Sequence, residues 1–278
     1  IYGQSDGTGK LVIDTVKENG YCIAANNISI NSGTVDVKNL GSGYDIFGND
    51  VQIKGGQVNA TGSMENIYSN GPLTISGGTV TVASFGPGSG NLTCVHAQNI
   101  TISGGIVTIT PSDETFATYI GLNSKQDIII SGGQVTVNAN TSPALRSIYA
   151  PNGTITLGYT RSDDFVWANS YSAVTIAQGK TMSDGTDTYS GALGYGTIDG
   201  KTMRPYKDDL SLAVDADNTQ SINGWNGGIT NVTLTGFTLY KDGKWHTLCL
   251  PFDVKDSDYD PDKVWYNVPG GYDEITFT

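Results

Sequence analysis

Two groups of side chains in this 278-residue sequence have types and spacing that could do chemistry. The first is a row made by Phe47, Tyr68, His96 and Tyr149, each directly following an aliphatic residue in YDIFGN, ENIYSN, TCVHAQ and RSIYAP, and flanked by Asp45, Asn66 and Tyr119. Planar rings offer polarised apolar surface on which the C–H face of a sugar can sit, and neighbouring amides and carboxylates can bond its hydroxyls. The second group is Arg161-Ser162-Asp163-Asp164, the densest acid–base cluster. A glycosidase needs two carboxyl groups flanking one bond, and a lyase needs a base plus calcium or an arginine. Arg161, Asp163 and Asp164 could serve either, but a surface salt bridge uses the same residues, so no residue is assigned a catalytic role.

The row has meaning only if something brings positions two dozen apart into register. A repeated phrase supplies it: NISINSGTVDV (27–37), DVQIKGGQVNA (50–60), PLTISGGTVTV (72–82), NITISGGIVTI (99–109) and DIIISGGQVTV (127–137). Each alternates apolar and polar residues, bends at glycine, and alternates again, which predicts two strands with one buried face. The last glycines of the bends, Gly33, Gly56, Gly78, Gly105 and Gly133, are 23, 22, 27 and 28 residues apart. That period marks a stacked repeat. A leucine-rich repeat needs a Leu/Asn consensus, and a propeller blade needs about twice the length.

The fold expected is an all-β, right-handed parallel β-helix with three strands per coil and about 22–28 residues per coil. Handedness follows from the preference of parallel crossover connections. The ring-bearing phrases are the third strand, with Ile23, Ile46, Ile67, Val95, Ile120 and Ile148 inward; Gly121 then falls on the ring face. Asn26, Asn49, Asn70, Gln98, Asn123 and Asn152 follow at one corner and read as an internal amide ladder, because Asn tolerates left-handed corners and amides bond to their counterparts in adjacent coils. GTGKLVID (7–14) reads as a partial first coil. Residues 1–205 form the β-helix, irregular and capped from about 153, and 206–278 form a small all-β module. In that module, VTLTGFTLYKDGKWHTLCLPFDV suggests a hairpin turning at Asp242-Gly243, with Leu239 and Leu248 inward.

A formal charge of −12 argues against nucleic acid, which rewards clustered Lys and Arg. No run of eighteen apolar residues exists, so membrane insertion is not expected, and Ile1 does not open a signal sequence. Cys22 and Cys94 fall three coils apart, roughly 14 Å at the spacing of stacked strands, beyond disulfide reach. With Cys249 they are expected as free thiols, since no Cys/His pair has zinc spacing and His96 and His246 lie far apart. GTGK at 7–10 lacks the remaining pattern of a phosphate loop. Asp256, Asp258, Asp260 and Asp262 alternate as in a calcium loop, yet Pro261 stands where glycine is required and no glutamate closes the cage. No cofactor or metal site is therefore assigned, calcium being the one the pattern leaves open.

The ISGGTVTV coils with their IYSN-like third elements resemble the right-handed β-helix proteins described as carbohydrate-binding domain-containing or adhesin-like, found on anaerobic gut-type bacteria. The segment from Thr154 to Leu193 and LYKDGKWHTLCLPFDV are similar to recurring parts of large surface proteins from such organisms. The resemblance implies secretion, cell-surface display and a polysaccharide or host-glycan partner. Some relatives bind calcium through coil-end acids, and no matching Asp cluster occurs in these coils. Three functional readings stand at this point: a non-catalytic glycan-binding or adhesin-like protein, a polysaccharide lyase or hydrolase, and a structural stalk of a larger surface protein.

Overall fold

In the computed structural model the described residues are 1–278 apart from 5–7, 16–18, 64, 85–91, 112–118, 140–145, 160, 214–215, 226–228, 237–275 and 278. They form an all-β solenoid of about eight turns with almost no helix.

The strands of the first turns are β1 (Lys10–Thr15), β2 (Ile23–Ile30), β3 (Thr34–Asn39), β4 (Ile46–Ile53), β5 (Gln57–Gly62), β6 (Ile67–Ser69), β7 (Pro72–Ile75) and β8 (Thr79–Ser84). The next are β9 (Leu92–Ala97), β10 (Asn99–Pro111), β11 (Tyr119–Ser124), β12 (Ile128–Val137), β13 (Ile148–Tyr149), β14 (Ile155–Leu157), β15 (Phe165–Ala168) and β16 (Val174–Ile176). They fall into three parallel stacks. The second halves of β2 and β4, then β7, the first halves of β10 and β12, β14 and β16 make one. β1, β3, β5, β8, the second halves of β10 and β12, and β15 make another. The first halves of β2 and β4, with β6, β9, β11 and β13, make the third.

Vertical register follows from the inward residues of the alternation. Val35 pairs with Val58, Val58 with Val80, Val80 with Val107, Val107 with Val135 and Val135 with Val166. None of these valines is more than 1% exposed. Each buried Val contributes roughly 1.5–3 kcal/mol, and a slip by one residue would turn the whole column out to water. Of the partial first coil expected at 7–14, the described residues show strand β1, with Leu11 beneath Val35.

The bend between the first two stacks needs glycine for two separate reasons. Gly33, Gly56, Gly78, Gly105 and Gly133 have φ of 79–92°, the left-handed region. A Cβ on Gly78 would also sit 2.5 Å from the carbonyl oxygen of Gly56 one turn below. Backbone packs directly on backbone here, and the N–H after each glycine bonds to the glycine carbonyl below, as in Thr79 N–H to Gly56 O at 2.8 Å. The column ends where Asp164 accepts the Gly133 N–H through Oδ1 at 2.9 Å.

Beyond β16 the pairing turns antiparallel. β17 (Met182–Ser183), β18 (Thr188–Tyr189) and β19 (Ala192–Leu193) lead to β20 (Thr202–Ala213); β19 pairs with β16, and β20 pairs with β15 and β17. Antiparallel strands close the parallel stack and cover its edge. Lys201, Asp184 and Tyr189 tie this end together: Lys201 Nζ lies 2.7 Å from Asp184 Oδ2, which also accepts the Tyr189 hydroxyl at 2.8 Å.

The chain divides into two compact units, Ile1–Tyr206 with Gly227–Ile229, and Lys207–Asn226 with Thr230–Thr278. In the second, α1 (Thr219–Trp225) is a short helix, and β21 (Ile229–Thr235) pairs antiparallel with β22 (Thr276–Phe277). The hairpin expected about Asp242-Gly243, with Leu239 and Leu248, lies outside the described residues. So do His246, Cys249 and the aspartates at 256–262.

Candidate functional site

The third stack carries the ring row, and its position is set by a corner. Asp45-Ile46, Asn66-Ile67, Cys94-Val95 and Ser147-Ile148 are consecutive buried pairs. Two neighbours can both point inward only where the strand bends between them, because an extended chain alternates. The residue after each pair then turns outward: Phe47, Tyr68, His96 and Tyr149, all half-buried. Phe47 pairs with Tyr68, and Tyr68 with His96.

This corner corrects two of the expected ligands. Asp45 and Asn66 were placed beside the rings, yet they are 1% and 0% exposed. They belong to an internal polar column in which Asn66 Nδ2 donates to Asp45 Oδ2 at 2.7 Å, the Ser84 hydroxyl donates to Asn66 Oδ1, and Ser84 Oγ lies 3.3 Å from Cys94 Sγ. Cys22 Sγ lies 4.0 Å from Asp45 Oδ1. Burial pushes the Asp45 carboxyl up to about 7 against the pull of the Asn66 bond, and burial pushes the Cys22 and Cys94 thiols to about 11. Cys22 and Cys94 are free.

A second correction concerns register. Leu122, not Ile120, pairs with Val95 and Ile148, so Asn123 stands between His96 and Tyr149 on the ring face. Gly121 is buried and off that face. Asn123 therefore leaves the amide ladder. Tyr119 begins β11, and its side chain is outside the described part.

The amide row is real over three turns but lies on the outer surface rather than inside. Asn49 Nδ2 donates to Asn26 Oδ1 at 3.2 Å, and Asn70 Nδ2 donates to Asn49 Oδ1 at 3.0 Å, all three residues being exposed. Asn49 and Asn70 stand two residues after Phe47 and Tyr68, so strand alternation puts amides and rings on one side of the sheet. Gln98 and Asn152 do not extend the row: Gln98 bonds Gly71 through its main chain, and Asn152 Nδ2 reaches the Lys125 carbonyl at 3.4 Å.

The structure adds two rings absent from the sequence reading, Tyr21 and Tyr44. Tyr21 stacks on Tyr44 with centroids 5.6 Å apart and on Phe47 at 5.1 Å; Tyr44 meets Tyr68 at 4.8 Å, and His96 meets Tyr68 edge-on at 4.9 Å. The signal was present: GYCI and GYDI repeat with their tyrosines 23 residues apart, two positions before the inward isoleucine. Tyr21 is 48% exposed. Around these rings, His96 Nδ1 lies 2.9 Å from Glu65 Oε1, and Lys125 Nζ sits 5.9 Å from the Tyr68 ring centre. Burial and then the charge of Glu65 raise the Tyr44 phenol above its ordinary range.

The acid–base cluster does not converge. Arg161 holds Asp163 in an exposed fork at 3.2 and 3.1 Å, whereas Asp164 is 4% exposed and turned to the Gly133 N–H. The two carboxylates face different environments, which is not the arrangement of a pair flanking one glycosidic bond. Among the described residues no three His, Cys, Asp or Glu side chains cluster as metal ligands, and no helix is long and apolar enough to cross a membrane.

Fold and face together define a β-solenoid protein that carries an aromatic row beside an amide row on one of its three sheets. The chain belongs to the family of carbohydrate-binding domain-containing proteins, whose model matches residues 4–164. Comparison with curated proteins and with solved structures finds no match.

Proposed function

We propose that this solenoid is a non-catalytic glycan-binding protein of adhesin type, displayed outside the bacterial cell, and that its ligand lies along the third stack. The observation that carries the reading is the parallel run of half-exposed rings (Tyr44, Phe47, Tyr68) and exposed amides (Asn26, Asn49, Asn70) over successive turns. Rings supply the apolar surface for sugar C–H groups, and Asn49 and Asn70, each donating one N–H within the row, keep a second N–H for a hydroxyl. From Tyr21 to His96 the site crosses four turns, roughly 14 Å at parallel-strand spacing. A linear oligosaccharide fits that length better than a single sugar. The family match supports a carbohydrate ligand, and the acidic composition argues against a polyanionic one.

The experiment is retention on a glycan array and in affinity gels, comparing the protein with Tyr44→Ala/Tyr68→Ala. Loss of retention by a folded double variant is expected; unchanged retention rejects this face. A second reading has its own observation. The rings pack on one another 4.8–5.7 Å apart, which stiffens a stalk, each such pair contributing about 0.5–1.5 kcal/mol. A stalk predicts that the same variant loses stability while no glycan is retained by either protein.

A further inference from the structure

The aromatic platform of the third stack gives way to a charged pair. Tyr21, Tyr44 and Glu65 each stand two residues before an inward isoleucine, and those isoleucines, Ile23, Ile46 and Ile67, lie one above another. Glu65 thus holds, on the turn of Tyr68, the place that tyrosine holds on the two turns below. In the neighbouring column His96 follows Phe47 and Tyr68. The two replacements meet: His96 Nδ1 lies 2.9 Å from Glu65 Oε1, while its ring meets Tyr68 edge-on. A carboxylate only accepts, so Nδ1 carries the hydrogen of this bond. His96 Nε2 is buried with no partner among the described residues, which leaves the bond to Glu65 to orient the imidazole.

Along the turn of Tyr68 the outward side chains run Glu65, Tyr68, Asn70, with Asn66, Ile67 and Ser69 buried among them. That order is acceptor, ring, donor. The turn below runs Tyr44, Phe47, Asn49, which is ring, ring, donor. A sugar hydroxyl both donates and accepts, so a sugar lying on a ring is best recognised by polar groups of both kinds at its edge. His96 takes one oxygen of Glu65, and a carboxylate accepts through two. Asn70 donates one N–H to Asn49 and keeps the other. Lys125 Nζ, 5.9 Å from the Tyr68 ring centre, opposes Glu65 in sign, so the seat offers no uncompensated charge to an anionic sugar.

We propose that Glu65 selects the ligand at this seat by accepting a hydroxyl of a neutral sugar stacked on Tyr68, and that His96 is its positioning residue. This rests on the glycan-binding reading above and adds which chemistry is read there and by what. An untethered glutamate loses rotamer freedom when it binds; the bond to His96 removes that freedom beforehand.

The test is isothermal titration with a neutral oligosaccharide retained on the array, in its free and its O-methylated form. Methylation removes the hydroxyl hydrogen that Glu65 would accept. The parent is expected to prefer the free form by roughly tenfold or more, the worth of a hydrogen bond to a charged group. Glu65→Ala is expected to lose that preference, and Glu65→Gln, which keeps an acceptor without its charge, to fall between. His96→Phe keeps a ring against Tyr68 but has no donor, and is expected to weaken binding of the free form. His96→Asn, whose Nδ2 stands as many bonds from the main chain as Nδ1, is expected to recover most of that loss. Glu65→Ala/His96→Phe should bind no more weakly than Glu65→Ala alone, a coupling that a merely structural pair would not show. Circular dichroism checks that each variant is folded. A preference that survives Glu65→Ala, or losses that simply add, overturns the proposal and leaves the glycan site standing. Retention of anionic glycans alone does the same. Retention of no glycan by the parent removes the binding reading itself, and this inference with it.

Discussion

Asn66 Nδ2 donates to Asp45 Oδ2 across 2.7 Å in the interior of the solenoid, one turn directly above the other, and both residues are shut off from water. This bond fixes where a buried carboxyl sits. It offsets only part of the cost of taking that carboxyl out of water, which is why the group is pushed up to about 7.

The first prediction follows from that shift. The unfolded chain releases the Asp45 proton near 3.8, while the folded chain holds it until about 7. Between those values the native state binds more protons, so this group makes stability fall as pH rises from about 4 to about 7 and adds no further slope above. The full difference is on the order of 4 kcal/mol. Asp45→Asn, whose amide oxygen still accepts from Asn66, is expected to remove that slope and to unfold at higher urea than the parent at pH 8. Its advantage should vanish at pH 4. Parallel pH profiles for the two proteins would show that Asp45 is not the group responsible.

The glycine column yields a paired comparison. Gly179 has φ of 72° with nothing within 4 Å of an added Cβ, so Gly179→Ala meets backbone strain alone, about 1–2 kcal/mol. Gly78→Ala adds to the same strain a collision 2.5 Å from the Gly56 carbonyl oxygen, and about 3 kcal/mol or more is expected. Urea denaturation of both variants measures the difference. Equal losses would mean that turns do not rest backbone on backbone at this bend.

On the amide row, Asn49 both donates to Asn26 and accepts from Asn70. Asn49→Ala breaks both bonds on an exposed surface and is expected to cost no more than about 1–2 kcal/mol. If the ligand lies along this face, the same change weakens retention of a bound oligosaccharide by roughly tenfold, the effect of losing about 1.4 kcal/mol of contact. Isothermal titration with an oligosaccharide found on the array separates the two effects.

Arg161, Asp163 and Asp164 are adjacent in sequence but differ in role. Asp164→Ala strands the buried Gly133 N–H and is expected to destabilise the last regular turn by about 1–3 kcal/mol. Arg161→Ala and Asp163→Ala break a pair that water screens on the surface and are expected to cost far less than Asp164→Ala. Thermal melts rank the three. Release of reducing ends or unsaturated products from a polysaccharide, lost in Asp164→Asn, would replace the binding reading with a catalytic one.

Much of this architecture was legible before any coordinates. The alternation in ISGGTVTV is a local property, and repeating it about every two dozen residues leaves one arrangement that buries every valine, with Val35 beneath Val58 and Val58 beneath Val80. The bend at Gly56 and Gly78 was equally local, whereas the backbone contact with the turn below that also demands glycine there belongs to the stack. Which residues face water at the third corner was not. Strict alternation puts Asp45 outside, and only the bend before Ile46 turns it in. The register of Leu122 beneath Ile148 depends on how a longer turn distributes its extra residues, a choice settled by the coils above and below it. Strand periodicity and turn chemistry thus lie within a dozen residues and can be read along the chain. The meeting of Tyr21 with Phe47, and of Asn66 with Asp45, depends on side-chain packing between turns, which only the assembled stack decides.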